Sequence, residues 1–90
     1  MHDVMVNANA RIGKNCIINN KVLIEHDVVI GDHCHISNGA VVNGEVSAGN
    51  GSFFGSGAVA RQSVFIGNNC TIGAGVIVKR DIKPDQVIKN

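Results

Sequence analysis

The sequence predicts an all-β fold, a parallel β-helix of about four coils ending in a short C-terminal tail. Three observations predict it. Stepping by six from Val6 gives Val6, Ile12, Ile18, Ile24, Ile30, Ile36, Val42, Ala48, Phe54, Ala60, Ile66, Ile72 and Val78, all apolar. At 44% hydrophobic content, chance yields such a column roughly once in tens of thousands of trials. Two residues earlier, a second column reads Ala10, Cys16, Val22, Val28, Cys34, Ala40, Val46, Ser52, Ala58, Val64, Cys70 and Val76, with Ser52 its one polar member. Glycine often follows the first column, at Gly13, Gly31, Gly49, Gly55, Gly67 and Gly73, where it is expected to admit strained turn backbone.

Each element follows from that register. A period of six is neither the helical 3.6 nor plain alternation. It suits strands of about four residues joined by turns of about two, stacked as parallel strands about 4.8 Å apart. Three such sides close one triangular coil of eighteen residues. The repeat runs over residues 4–83 without insertion or loss, within a single domain spanning 1–90. Residues 1–5 are expected to cover one end. The segment DIKPDQVIKN leaves the repeat at Pro84, so residues 84–90 form a capping or docking tail. Ala48, Phe54 and Ala60 read as consecutive corners of one coil, one large side chain compensated by two small ones. Cys16, Cys34, Ser52 and Cys70 share one column and read as small buried side chains rather than metal ligands or reactive thiols.

Ninety residues make one small domain, marginal unless repetition or self-assembly supports it. Eight basic and seven acidic residues, no basic block, and three phenylalanines as the only aromatics argue against nucleic acid as the partner. No apolar run approaches membrane-spanning length, and the N-terminus lacks a signal-peptide apolar region. Three cysteines do not make a disulfide framework, so a cytoplasmic location is expected.

Four histidines carry the available chemistry: His2, His26, His33 and His35. His2 is near the chain end and reads as incidental. His26 is flanked by Glu25 and Asp27. His35 lies half a coil further on, so the two rings are expected on different sides of one chain. Gly44 is one full coil after His26, and Ser56 and Ala74 share a column with Asn20 and Asn38. A side-by-side trimer would bring the His26–Gly44 side of one copy against the His35, Ser56 and Ala74 side of the next. Acyl transfer needs a base, for which His26 is suited. It needs a carboxylate to orient that base, Asp27 or Glu25, and a fixed donor for the oxyanion, which a backbone N–H at Gly44 would supply. The plain alternative is that a turn histidine flanked by acids is solvated surface, and His33 is read that way.

The segment IEHDVVIGDHCHISNGAVVNGEV resembles the sialic-acid O-acetyltransferase and bacillosamine-pathway N-acetyltransferase group, the NeuD/PglD-like sugar acetyltransferases among the hexapeptide-repeat acyltransferases. The segment IGNNCTIGAGVIVKRDI resembles their last coils. The resemblance spans roughly residues 4–83 and implies a left-handed helix, although ordinary parallel crossovers are right-handed. It further implies a homotrimer, acetyl-CoA as cosubstrate without a metal, and a sugar or nucleotide-sugar acceptor. By the same resemblance His26 is the general base, Asp27 its acidic partner, and His35 a contact to acetyl-CoA. Gly44 is the backbone donor to the thioester oxygen, and Ser56 and Ala74 are backbone contacts along the cofactor.

Three departures stand out. Full-length members carry an N-terminal domain that binds the nucleotide sugar, so this chain is expected to be a standalone or truncated cofactor-binding half. Their glycine-x-proline-alanine-lysine tail is missing after Val87, and Asn43 stands where a smaller residue is expected. Two rivals share the fold. A γ-class carbonic anhydrase needs three histidines around zinc, and its pair five residues apart is absent. A non-catalytic structural or assembly module needs no site at all. An ice-binding helix would need threonine ladders, and Thr71 is the sole threonine.

Overall fold

The computed structural model describes residues 3–90, and His2 lies outside them. Every strand is two residues long, shorter than the period suggested. One hexad shows the local logic. Leu23–Ile24 is the strand, His26 and Asp27 form the turn, and Glu25 and Val28 connect them. The second turn residue is always left-handed, with φ from 55° at Asp3 to 71° at Gly75. Asn and Asp tolerate that region better than most side chains. Asn9, Asn15, Asp27 and Asn69 hold it alongside Gly39, Gly51, Gly57 and Gly75.

The glycines that follow the first column serve a different purpose from the one expected. None of them has positive φ. A Cβ on Gly31 would meet Asn50 N at 2.8 Å and the Gly49 carbonyl carbon at 3.0 Å, both on the next rung. Close approach between rungs, not backbone strain, excludes side chains there.

The coils build three flat faces. The first carries strands Met5–Val6, Leu23–Ile24, Val41–Val42, Val59–Ala60 and Ile77–Val78. The second carries Arg11–Ile12, Val29–Ile30, Ser47–Ala48 and Phe65–Ile66. The third carries Ile17–Ile18, His35–Ile36, Phe53–Phe54, Thr71–Ile72 and Val87–Ile88. Pairing is parallel, and Leu23 lies opposite Val41, eighteen residues on. The second residue of each strand points inward, and from Ile24 to Val78 these are nearly all fully buried. The apolar columns are therefore sides of the prism, and its corners are the exposed turns. Phe54 is fully buried between Ala48 and Ala60, one residue from each face of that layer. Ser52 fits its thiol column because Oγ donates to Gly67 O at 3.1 Å, as Cys34 Sγ donates to Gly49 O at 3.2 Å.

The tail stays on the helix. Ile82 bridges Ile66 and Val87 pairs with Thr71, offsets of sixteen residues instead of eighteen. The last coil is two residues shorter at residues 79–81. Phe65 N–H donates to Asp81 Oδ1 at 2.8 Å, where a regular coil presents a backbone carbonyl. Pro84 opens the final turn at a position whose N–H elsewhere needs an acceptor, and proline has no N–H to satisfy.

Candidate active site

Backbone accounting distinguishes the three corners. Between the second and third faces, the first turn residues are Lys14, Asp32, Asn50 and Asn68. Each of the first three donates its N–H to the side chain of the residue one rung on: Lys14 to Asp32 Oδ1, Asp32 to Asn50 Oδ1 and Asn50 to Asn68 Oδ1, all at 2.8 Å. That ladder closes the corner to outside ligands. The corner between the first and second faces reads Ala8, His26, Gly44 and Gln62, and has no such ladder. The corner between the third and first faces starts one, Asn20 N–H to Asn38 Oδ1 at 3.0 Å, and then loses it at Ser56 and Ala74. Among the described residues, the first-turn N–H groups of Ala8, His26, Gly44 and Gln62 at one open corner, of Asn38, Ser56 and Ala74 at the other, and of Asn68 at the end of the ladder meet no protein acceptor. Gly44 has little exposed surface and lines an open groove, so its N–H is available to an acceptor entering there.

His26 stands directly over Gly44. A Cβ on Gly44 would lie 2.7 Å from His26 Nε2 and 2.8 Å from Cε1, so the ring occupies the space a side chain would need. His26 Nδ1 donates to Asp27 Oδ2 at 3.1 Å. In the neutral tautomer that donates from Nδ1, Nε2 is the ring's acceptor atom, and it faces Gly44. Both side chains are about half exposed, 54% and 51%, so the pair adds little stability and mainly orients the ring. Glu25 is not the orienting acid: its Oε1 accepts from Asn7 Nδ2 at 2.6 Å on the preceding rung.

An open groove of about 490 Å³ runs along this corner, lined by Glu25, His26, Asn43, Gly44, Arg61 and Gln62. The Asn43 side chain is held on the groove wall, its Nδ2 donating to Ala60 O on the next rung at 3.0 Å. Arg61 and Gln62 were not singled out from the sequence. The available signal was their place one coil beyond Asn43 and Gly44.

His35 sits on the third face, across the prism from the His26 corner, so the two rings do not meet within one chain. Asn19 Nδ2 donates to its Nε2 at 3.1 Å, and Phe53 packs edge-on against it with ring centroids 5.1 Å apart. Ser56 and Ala74 are exposed at the far corner of the first face. One chain thus places the predicted residues in two groups: His26, Asp27 and Gly44 at one corner, and Ser56 and Ala74 at another with His35 beside it. His33 is an exposed turn residue. Burial holds the Cys34 thiol above its ordinary range. Among the described residues no group of three His, Cys, Asp or Glu side chains could enclose a metal ion. No helix among them is long and apolar enough to cross a membrane.

Comparison with known proteins matches residues 9–44 to the family described as bacterial transferase hexapeptide (six repeats). Residues 45–80 match the hexapeptide repeat of succinyl-transferase. No curated protein matches the sequence. Among solved structures, PerB from Caulobacter crescentus, in complex with CoA and GDP-perosamine, superposes with a TM-score of 0.92 at 36% identity, over 93% of this chain and 41% of its own. The acetyltransferase domain of PglB from Neisseria gonorrhoeae gives a TM-score of 0.81 at 31% identity, over 92% of this chain and 49% of its own. WeeI from Acinetobacter baumannii gives 0.93 at 26% identity, over 97% of this chain and 43% of its own. This chain therefore spans about half or less of the length of these structures. The hexapeptide repeat carries the left-handed sense of the coil.

Proposed function

Because the chain belongs to the hexapeptide-repeat family of bacterial transferases, we propose that it moves an acetyl group from acetyl-CoA to an amino or hydroxyl group of a sugar or nucleotide sugar. One observation carries the reading: His26 Nε2 faces a buried glycine whose N–H meets no protein acceptor. In the proposed reaction, the acceptor N–H or O–H gives its proton to His26 Nε2 as the nucleophile bonds to the thioester carbon. The carbonyl oxygen takes on negative charge and accepts from Gly44 N–H. Asp27 holds the tautomer and faces the imidazolium that forms. The C–S bond then breaks, and the leaving thiolate takes the proton back from His26. No metal takes part, and acetyl-CoA as cosubstrate fits a cytoplasmic enzyme.

A homotrimer completes the site. The outward side chains of the first face are Met5, Leu23, Val41, Val59 and Ile77, all apolar. The second face interposes Arg11 and Ser47, and the third His35 and Thr71. A flat apolar stripe of that kind favours burial against copies of itself. With the first face turned to a three-fold axis, the His26–Gly44 corner of one copy meets the Ser56–Ala74 corner of the next. The cleft between them is walled by the second face of one copy and the third face of its neighbour, which carries His35. Turning either other face inward would separate the two half-sites.

The test is direct. The chain is incubated with acetyl-CoA and a panel of amino and hydroxyl sugars, free and nucleotide-linked, and products are weighed by mass spectrometry. Acetylated product that disappears in His26→Ala while the oligomer persists supports the reading. If acetyl-CoA neither reacts nor raises the melting temperature, the scaffold reading replaces it.

A further inference from the structure

We propose that Asn43 is a site of spontaneous covalent modification: its carboxamide closes on the Gly44 nitrogen, loses ammonia and opens to aspartate or isoaspartate, disabling the His26–Gly44 corner. The labile site stands on backbone geometry alone, and only its effect on activity rests on the acetyltransferase reading.

Three asparagines precede a glycine: Asn38, Asn43 and Asn50. Glycine has no side chain to hinder ring closure, so local sequence makes the three pairs alike. The chemistry is also the same for each. The nitrogen of the glycine bonds to the asparagine Cγ, the carboxamide C–N bond breaks, and ammonia leaves with the displaced N–H proton. Water then opens the five-membered imide at either carbonyl. One opening gives aspartate, and the other gives isoaspartate, with an extra carbon in the main chain. Water is the only co-reactant.

The fold separates the three by what holds the attacking nitrogen. Gly39 N–H donates to Asn20 O at 3.0 Å, and Gly51 N–H to Asp32 O at 2.9 Å. Their asparagines are tied as well. Asn38 Oδ1 accepts from Asn20 N–H at 3.0 Å, and Asn50 Oδ1 from Asp32 N–H at 2.8 Å. Closing either ring must break a backbone bond and a side-chain bond between rungs together. Gly44 differs because it takes the first turn position, where Gly39 and Gly51 take the second. Its N–H meets no protein acceptor among the described residues. Asn43 Nδ2 donates to Ala60 O, and that oxygen already accepts Asn43 N–H at 3.1 Å, so the carboxamide shares its acceptor. Both residues line the open groove, where water reaches the imide.

The products alter the candidate site. Neither restores the bond to Ala60 O, because a carboxylate has no N–H to donate. Isoaspartate also displaces Gly44 along the chain, out of register with the His26 ring packed against it. In the proposed reaction the thioester oxygen accepts from Gly44 N–H, so bound acetyl-CoA holds the attacking nitrogen and protects Asn43.

The experiment incubates the wild-type chain at mildly alkaline pH, folded and in urea, with and without acetyl-CoA. Conversion at residues 38, 43 and 50 is read by mass spectrometry of proteolytic peptides. In the folded chain Asn43 should convert about tenfold or more faster than Asn38 or Asn50, the difference of one hydrogen bond to be broken. In urea the three should convert at similar rates. Folded-state conversion at Asn38 or Asn50 that matches Asn43, or no conversion at Asn43, overturns the site. Acetyl transfer should fall in step with conversion at residue 43, and full activity in the converted chain overturns the disabling effect. Acetyl-CoA should slow conversion at Asn43 and leave Asn38 and Asn50 unchanged. If Asn43 converts first yet acetyl-CoA gives no protection, the labile site stands and the role of Gly44 in binding the thioester oxygen falls.

Discussion

Asp27 holds its own neighbour: from a left-handed turn position with φ 58°, its Oδ2 lies 3.1 Å from His26 Nδ1. The turn geometry that every hexad needs thus places a carboxylate against the ring at no extra conformational cost. Asparagine tolerates the same φ, so Asp27→Asn should fold normally. It loses the acceptor that keeps the proton on Nδ1. Expected are a mixture of tautomers in long-range nitrogen–proton spectra of His26 and a clear fall in kcat. That fall should be smaller than the roughly 10²–10⁴-fold loss expected for His26→Ala. An unchanged tautomer in Asp27→Asn, or more than about a tenth of wild-type rate in His26→Ala, would contradict the assignment.

Gly44→Ala separates chemistry from fold. Gly44 has no positive φ, so alanine strains no backbone dihedral there. Its Cβ would nonetheless fall 2.7 Å from His26 Nε2 and must push the ring aside. Because the half-exposed ring can swing into solvent, the melting temperature should move by only a few degrees, a change of about 1 kcal/mol or less. The rate should fall on the order of 100-fold as base and N–H lose their shared focus. A steady rate with a displaced ring would remove His26 from the reaction.

Cys34 gives the protein a predictable alkaline limit. Desolvation by burial raises its pKa, so the folded chain keeps the thiol protonated where the unfolded chain ionises. Stability from this group is complete below the ordinary thiol range and falls as pH rises through it, since the unfolded state then binds fewer protons. Cys34→Ser should flatten that decline, measured as denaturation midpoint between neutral and mildly alkaline pH. Ser52, one rung on in the same column, already makes the equivalent bond to a carbonyl. An unaltered pH dependence in Cys34→Ser would place the alkaline sensitivity elsewhere.

Much of this was legible because one constraint repeats. Each rung must fill a triangle, so Phe54 requires small partners at Ala48 and Ala60, and spacing alone reveals all three. His26 above Gly44 follows from the same count. The role of the following glycines was misread, since strain and close approach both call for glycine, and only coordinates put the positive φ two residues later. The tail's return was hidden by the two residues missing at 79–81, after which a six-residue step no longer finds Ile82 or Ile88. Choosing Asp27 over Glu25 required seeing that Asn7 holds Glu25. The open corners required tracing each N–H to its acceptor, and the ladder through Asp32, Asn50 and Asn68 shows in sequence only once those residues are known to sit on one edge.

The proposed shared cleft makes a prediction that no single-chain site would. Lysine at Val41 or Val59 puts charge in the middle of the apolar first face. Both positions point outward, so the coil should stay folded by circular dichroism while sedimentation shows monomers and activity vanishes. Complementation is the sharper test. His26→Ala damages one corner, and Ala74→Trp blocks the corner that faces it from the next copy. Each variant alone should be inactive as a trimer. Co-refolded, they form mixed trimers in which an intact His26 corner meets an intact Ala74 corner at some interfaces, and activity should return to a substantial fraction of wild type. Recovery requires that the two half-sites come from different chains. Failure to recover in verified mixed trimers would mean that His26 works without its neighbour's Ala74 corner, and that the first face does not lie on the three-fold axis.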